Sequence, residues 1–157
     1  MIDEVVPVVP GSQVEIVPAA WRDMGAIREL ERLCFPLDAW PLLDMIGVLA
    51  LPSVVRLKAE EDQRLVGFVA ADVRRSKNMA WIATICVHPD LRGQGLGAAL
   101  LEACEAKLDV GKVKLSVRAS NQSAINLYKR FGYQQVDTWK RYYKGGEDAT
   151  VMEKVVS

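Results

Sequence analysis

The feature that most constrains this chain is a glycine-rich turn between an apolar segment and an amphipathic one. Residues 80–87 form an apolar run rich in β-formers, which predicts a buried central strand. Residues 95–108 place apolar side chains at helical spacing, which predicts a helix. The turn that joins them reads Arg92-Gly93-Gln94-Gly95-Leu96-Gly97. The sequence therefore predicts a strand, a tight turn and a helix in immediate succession.

This turn has the chemistry of an anion site. Glycines allow a ligand to approach the backbone closely, and the first turn of a helix has N–H groups without intrahelical partners. Arg92 adds a positive charge and a planar set of donors. We therefore predict a pyrophosphate site at Arg92, Gly93, Gln94, Gly95, Leu96, Gly97 and Ala98. The alternative is a glycine-rich helix start that binds nothing.

Two common nucleotide motifs fit this turn poorly. The P-loop requires Gly-Lys-Ser/Thr at the start of the helix, which is missing here. The Rossmann fingerprint would place its third glycine at Ala98 and an acidic residue at the end of the next strand. That strand ends Leu115-Ser116-Val117-Arg118, without a carboxylate. Dinucleotide binding is therefore disfavoured.

Length and composition predict one domain over residues 1–157, with residues 1–12 as a loose leader. Lys plus Arg and Asp plus Glu are both 20, so no general attraction to nucleic acid or to a membrane surface is indicated. Cys34, Cys86 and Cys104 are too few and too far apart for a disulfide framework or a zinc site, and each is expected to be a small buried hydrophobe. We expect a cytoplasmic protein without a metal, and His88 as a turn residue.

The remaining elements follow from periodicity and breakers. Strands are predicted at 14–17, 54–59, 65–73, 113–117, 133–143 and 150–155, and helices at 21–33, 38–49 and 122–131. Ser120 is expected to cap the last helix and Gly132 to end it, while Gly145 and Gly146 form the final turn. This order predicts a mixed α/β (α+β) fold. Its single sheet is mostly antiparallel, with about seven strands, about four flanking helices and one parallel strand pair.

In its motifs the chain resembles the GNAT acetyltransferases. The turn from Arg92 to Gly97 matches the family's pyrophosphate motif. The segment from Asn121 to Tyr128, followed by Phe131-Gly132-Tyr133, matches the second signature motif of the family. Tyr142-Tyr143 before Glu147-Asp148-Ala149 is similar to the RimI-type protein N-terminal alanine acetyltransferases, as are Val117-Arg118-Ala119-Ser120-Asn121 and Cys34-Phe35-Pro36.

The resemblance implies the GNAT fold and an N-acetyltransferase that uses acetyl-CoA. It implies that the edge formed by Ile85, Cys86 and Val87 pairs with pantetheine and that Asn121 contacts the same arm. It also implies that Phe35, Pro36, Tyr142 and Tyr143 frame a protein or peptide N-terminus. The expected assembly is a monomer or a homodimer.

The same resemblance implies that Tyr128 protonates the thiolate leaving group, a role that suits a phenol with a pKa of about 10. The base is left open. RimI-type enzymes have a glutamate where this chain has Ser116, and Trp81 stands at a second position that is often histidine. Asp38, Glu31, Glu147 or a water molecule remain as candidates.

Two other functions stay open from the sequence. A GNAT enzyme acting on a small amine would share the cofactor motif, although the Glu147-Asp148-Ala149 turn favours a protein substrate. A domain that binds acetyl-CoA as a sensor, without catalysis, is favoured only by Ser116 and Trp81.

Overall fold

The computed structural model of the chain describes residues 6–7, 13–36 and 50–156. The helices are α1 (Met24–Cys34), α2 (Leu96–Glu105) and α3 (Gln122–Arg130). The strands are β1 (Val6–Pro7), β2 (Val14–Pro18), β3 (Val54–Glu61), β4 (Arg64–Arg74), β5 (Met79–Val87), β6 (Lys112–Arg118), β7 (Gln134–Trp139) and β8 (Ala149–Val155). The predicted helix at 38–49 lies outside the described residues.

All eight strands belong to one sheet, in the order β1-β2-β3-β4-β5-β6-β8-β7. Each neighbouring pair is antiparallel except β5 and β6. The predicted mixed, mostly antiparallel sheet with one parallel pair is therefore confirmed. Within the predicted leader, Val6 and Pro7 pair with Ile16 and Glu15 on β2.

The two faces of the sheet carry separate hydrophobic cores. The larger core packs α2 and α3 against the sheet and includes Leu100, Tyr128 and Ile82. The smaller core packs α1 against the other face through Ile27, Leu30, Phe68 and Cys86. Both helices that follow the parallel strands thus cover one face, and α1 covers part of the opposite face.

A β-bulge in β5 changes which side chains face each core. Ala70 pairs with Thr84 and Ala71 pairs with Ile82, so one additional residue, Ala83, lies on β5 between them. In a regular strand, Ile82 and Cys86 would share a face because side chains alternate. The bulge shifts that alternation, and the two residues pack in different cores.

Strands β5 and β6 are paired only at their beginnings. Their ladder consists of Met79 with Lys112, Ala80 with Val113 and Trp81 with Lys114. Strand β6 then continues beside β8 as far as Arg118, and β5 continues beside β4 as far as Val87. The sheet therefore opens between the carboxyl-terminal halves of its two parallel strands.

The ends of the later elements refine the sequence predictions. The side chain of Asn121 caps α3 by accepting a hydrogen bond from the Ala124 N–H at 3.2 Å, so the predicted cap at Ser120 is wrong. The Ser120 N–H instead donates to Glu147 at 2.7 Å. Gly132 follows the helix with a φ of 93°, which confirms it as the terminator. The predicted strand at 133–143 is shorter and ends at Trp139.

Candidate active site

The glycine-rich turn presents its backbone at the start of α2. Gly93 and Gly95 have φ values of 79° and 83°, a region that favours glycine. Space is open around both, so backbone conformation selects glycine there. Gly95 is the N-cap of α2 and has no side chain to cover the first N–H groups. This exposed helix start fits a pyrophosphate ligand.

The rest of the turn supports that geometry. The predicted turn residue His88 accepts a hydrogen bond at Nδ1 from the Asp90 N–H at 3.1 Å, which confirms its structural role. Gly97 lies where an added Cβ would sit 3.6 Å from Leu127 and 3.8 Å from Val87. These are ordinary van der Waals distances, so Gly97 lies next to α3 and the end of β5 without requiring the absence of a side chain.

The edge of β5 that borders the opening consists of the residues predicted to meet pantetheine. Ile85 and Val87 are half-buried and pack against the larger core, whereas Cys86 is buried in the smaller core. The Val87 carbonyl accepts a hydrogen bond from the Cys34 thiol at 3.2 Å. The end of α1 is therefore attached to this edge.

Tyr128 lies on α3 and is buried in the larger core. Burial raises the pKa of its phenol well above the usual range, with smaller contributions from Tyr143 and Cys86. Cys86 lies on β5, and Tyr143 lies in the loop between β7 and β8. A phenol with a raised pKa keeps its proton at neutral pH and can donate it.

An aromatic row, consisting of Trp81, Trp139, Tyr142 and Tyr143, begins on β5 where that strand still pairs with β6, and it ends at Tyr143 next to Ser116 on β6. Successive ring centroids are 5.7, 5.0 and 5.0 Å apart. The Tyr143 hydroxyl donates to the Ser116 hydroxyl oxygen at 3.4 Å. Sequence reasoning found the tyrosine pair but missed Trp139, because the contact with Trp81 joins distant strands.

Glu147 holds the loop before β8 in place. Its carboxylate accepts hydrogen bonds from the Ser120 N–H at 2.7 Å and from the Arg118 guanidinium at 2.8 Å. These bonds lower the pKa of Glu147 to about 2, with Ser120 as the larger cause. The Arg118 guanidinium also lies 4.8 Å from the centre of the Tyr143 ring. Glu147 is therefore a weak base that positions one end of the aromatic row.

Glu31 is the most basic of the predicted carboxylates that the structure describes. Its side chain is buried, with 1% of the residue exposed, and its Oε1 accepts a hydrogen bond from the Thr84 hydroxyl at 2.8 Å. Its Oε2 is buried without a hydrogen-bond partner. Burial raises the pKa of Glu31 to about 7, and the Thr84 bond opposes part of that rise. Such a group exchanges protons near neutral pH.

The remaining predicted site residues have less structural support. Asn121 is committed through its Oδ1 to the cap of α3. Phe35 packs against the smaller core and Pro36 is exposed. Asp38 lies outside the described residues. Among residues 6–7, 13–36 and 50–156, the structure contains no cluster of His, Cys, Asp and Glu that could hold a metal ion. No helix in that part of the chain is long and apolar enough to cross a membrane.

The chain is similar to known proteins in both its sequence and its fold. The model of the acetyltransferase (GNAT) family matches residues 24–133. An N-alpha-acetyltransferase of Sulfurisphaera tokodaii is 30% identical over 156 residues, which cover 90% of this chain and 93% of that protein. The L-amino acid N-acetyltransferase AaaT of Escherichia coli is 31% identical over 160 residues, which cover 92% and 99% respectively.

The fold is similar to the crystal structure of the ribosomal-protein-S18-alanine N-acetyltransferase from Escherichia coli. The TM-score is 0.84 with 27% sequence identity, and the match covers 92% of this chain and 94% of that one. Sequence and structure comparisons thus agree on one family.

Proposed function

The chain belongs to the GNAT acetyltransferase family and is an N-acetyltransferase, and we propose that it acetylates the N-terminal α-amine of a protein. The observation that carries this proposal is the opening between β5 and β6. The glycine-rich turn follows β5, which forms one edge of the opening, and the aromatic row ends at Tyr143, which is bonded to Ser116 on β6 at the other edge. We treat residues 1–157 as one catalytic domain, working in the cytoplasm, where new protein N-termini are made.

Acetyl-CoA is the proposed acetyl donor. The backbone of Arg92 to Gly97, with Ala98, would bind its pyrophosphate, because these N–H groups lie at an exposed helix start. Ile85, Cys86 and Val87 would pair with the pantetheine amides where β5 has separated from β6. The amide nitrogen of Asn121 would contact the same arm, since its oxygen already caps α3.

Tyr128 is the proposed acid. Attack of the amine on the thioester breaks the carbon–sulfur bond, and the sulfur leaves with the electron pair. A phenol whose pKa is raised by burial remains protonated until that charge develops. Its place on α3, in the core against which Ile85 and Val87 at the edge of β5 pack, suits a proton donor near the opening.

An α-amine can react without a strong base, which suits a site that has Ser116 in place of a glutamate. Its pKa of about 7.7 to 8.0 leaves roughly a tenth or more of the amine neutral near pH 7, against less than about a thousandth for lysine with a pKa of about 10.4. At the position where RimI-type enzymes have glutamate, this chain has Ser116, bonded to Tyr143. The loss of a carboxylate there is therefore tolerable for an α-amine and costly for lysine.

Glu31 is the proposed proton acceptor among the predicted carboxylates. Its pKa of about 7 makes it a stronger base than Glu147, whose pKa is about 2. Because Glu31 is buried, the proton would reach it through the Thr84 hydroxyl or through water. Phe35, Pro36, Tyr142 and Tyr143 would frame the acceptor peptide.

A small-molecule acceptor is the second candidate, and one comparison favours it. The relative named as an L-amino acid N-acetyltransferase covers nearly the whole chain at 31% identity. A free amino acid also has an α-amine, so the argument from Ser116 applies to it equally. What favours a peptide is the aromatic row, which offers three further rings, Trp81, Trp139 and Tyr142, next to Tyr143.

A turnover screen separates these candidates. Labelled acetyl-CoA would be supplied with short peptides that have free N-termini, and with free amino acids, lysine and spermidine. We expect transfer to peptides, with rates that depend on their first residues. Transfer to free amino acids or spermidine alone would overturn the protein substrate. Binding of acetyl-CoA without transfer to any amine would instead favour the sensor function.

A further inference from the structure

We infer that Cys34 and Cys86 form a peroxide-sensitive dithiol site that closes to a disulfide and weakens CoA binding. The first part of this inference stands on the geometry of the two thiols. Its consequence for CoA rests on the cofactor site proposed above. Neither part depends on the identity of the acceptor.

The two thiols meet where α1 is attached to β5. Cys34 is the last residue of α1, and its side chain packs against the smaller core that contains Cys86. The Cys34 thiol donates to the carbonyl of Val87, which adjoins Cys86, at 3.2 Å. The two thiols therefore lie in one small core, next to the same end of β5.

The two thiols differ in a way that assigns their roles. Cys34 is half-buried, and its pKa is lowered to about 6, first by Cys86 and further by the Arg92 guanidinium. Cys86 is buried, and Cys34 together with burial raises its pKa well above the usual value. Redox-sensitive cysteines combine a stable thiolate with access and a neighbouring resolving thiol. Cys34 has the features of the attacking group and Cys86 those of the resolving group.

The reaction balances with hydrogen peroxide as the oxidant. The Cys34 thiolate attacks one peroxide oxygen, the O–O bond breaks, and hydroxide leaves as Cys34 becomes a sulfenic acid. The Cys86 sulfur then attacks the Cys34 sulfur, the S–O bond breaks, and water leaves with the Cys86 proton. The peroxide is reduced, and the two thiols are oxidised to one disulfide that a dithiol reductant reverses.

Arg92 connects this site to the cofactor. It helps to stabilise the Cys34 thiolate, and it belongs to the turn proposed to bind pyrophosphate. A bound pyrophosphate would compete for that charge and so protect Cys34 from oxidation. Conversely, the disulfide would remove the Cys34–Val87 hydrogen bond at the edge proposed for pantetheine.

Cys104 supplies a matched control. It is fully buried in the larger core, and burial raises its pKa to about 12. It therefore has almost no thiolate at neutral pH. A reagent that reacts only with thiolates should therefore modify Cys34 and leave Cys104 unmodified. Both cysteines lie near the end of a helix.

The test uses hydrogen peroxide on the full chain, followed by alkylation, peptide mass spectrometry and CoA titration. We expect a Cys34–Cys86 cross-linked peptide in the wild type and in Cys104→Ser, and none in Cys34→Ser. In Cys86→Ala, Cys34 should stop at a sulfenic acid that dimedone traps. Saturating CoA should slow the oxidation several-fold, and the disulfide should weaken CoA binding on the order of tenfold, restored by dithiothreitol.

Three results would overturn the inference. One is oxidation of all three cysteines at similar rates, which would show that Cys34 and Cys86 do not form a selectively reactive site. Another is a Cys34 sulfenic acid in the wild type that Cys86 never resolves. The third is a disulfide that leaves CoA affinity unchanged, which denies the connection to the cofactor. Peptide masses and CoA binding are measured without any acceptor, so these results remain separate from failure of the proposed acetylation.

Discussion

The two sides of the opening between β5 and β6 are built in different ways. On the side proposed for the cofactor, the geometry comes from the backbone: glycine conformations at Gly93 and Gly95, the uncapped start of α2 and the edge of β5. On the acceptor side, the site depends on contacts between distant side chains, such as Tyr143 with Ser116. The first side matches its family motif throughout, and the second departs from it at Ser116 and Trp81.

This difference indicates which part of the enzyme is free to change. Any acetyl-CoA enzyme of the family must hold the same pyrophosphate, so a turn that uses backbone N–H groups suits them all. The acceptor varies, and side chains can be exchanged without disturbing the sheet that carries them. Variants on the cofactor side should therefore change CoA affinity, and variants on the acceptor side should change acceptor kinetics.

Tyr128→Phe should have the largest effect, because the phenol belongs to both sides. Loss of a general acid typically costs about a hundredfold or more in kcat. CoA affinity should stay nearly the same, since only one hydroxyl is removed. Steady-state kinetics and a CoA titration of the same preparation would measure both. Equal losses in kcat and CoA affinity would show that Tyr128 is mainly structural.

Glu31→Gln should lower kcat on the order of tenfold and remove the ionisation near pH 7 from the pH profile of kcat. The raised pKa of Glu31 also predicts how the stability of the wild type changes with pH. The folded pKa of about 7 lies above the unfolded value, so the wild type loses stability as pH rises through about 7. That loss should be about 3 kcal/mol, and the variant should lack it. Urea unfolding at pH 5 and pH 8 measures the difference.

Gly95→Ala tests the cofactor side alone. The φ of 83° at this position strains any L side chain, so the turn should shift and CoA affinity should fall roughly tenfold. The acceptor KM should change little. Gly25→Ala is the matched control, because Gly25 lies in α1 with open space around it. The free energy of unfolding of this variant should rise by about 0.5 kcal/mol or more. Isothermal titration with CoA and thermal unfolding distinguish the two variants.

Tyr143→Phe tests the acceptor side alone and should have the smallest effect. It removes the hydroxyl bonded to Ser116 and keeps the ring that packs against Arg118. We expect the peptide KM to rise about threefold, which corresponds to one weak hydrogen bond, with unchanged CoA affinity. Tyr142→Phe is the control and should change neither value. An effect on CoA affinity as large as that of Gly95→Ala would break the distinction between the two sides.

The sequence predicted the cofactor side better than the acceptor side for a physical reason. The strand, the turn and helix α2 are local, so periodicity and glycine placement identify them together. The parallel pair was also predictable, because a helix follows each of its two strands. The separation of β5 from β6 was not, since it is defined by the pairing of residues that are distant in the chain.

The acceptor side and the dithiol depend on contacts that no local pattern contains. Cys34 and Cys86 lie far apart in the chain, and the bulge at Ala83 decides that Cys86 faces α1. Glu31 looked like any helix carboxylate until its burial beside Thr84 was known. The cap of α3 was misplaced by one residue because Ser120 and Asn121 are both good caps, and Glu147 engages the first.

The most direct test of the central claim is the acetylation site in one peptide that carries a free N-terminus and an internal lysine. Mass spectrometry of the product, followed over pH 6 to 9, reports the rate at each amine. The account predicts acetylation of the α-amine almost exclusively near pH 7, because the site relies on an acceptor that is already partly neutral. Lysine acetylation at a comparable rate would contradict it, since that reaction requires a stronger base than the acceptor side provides.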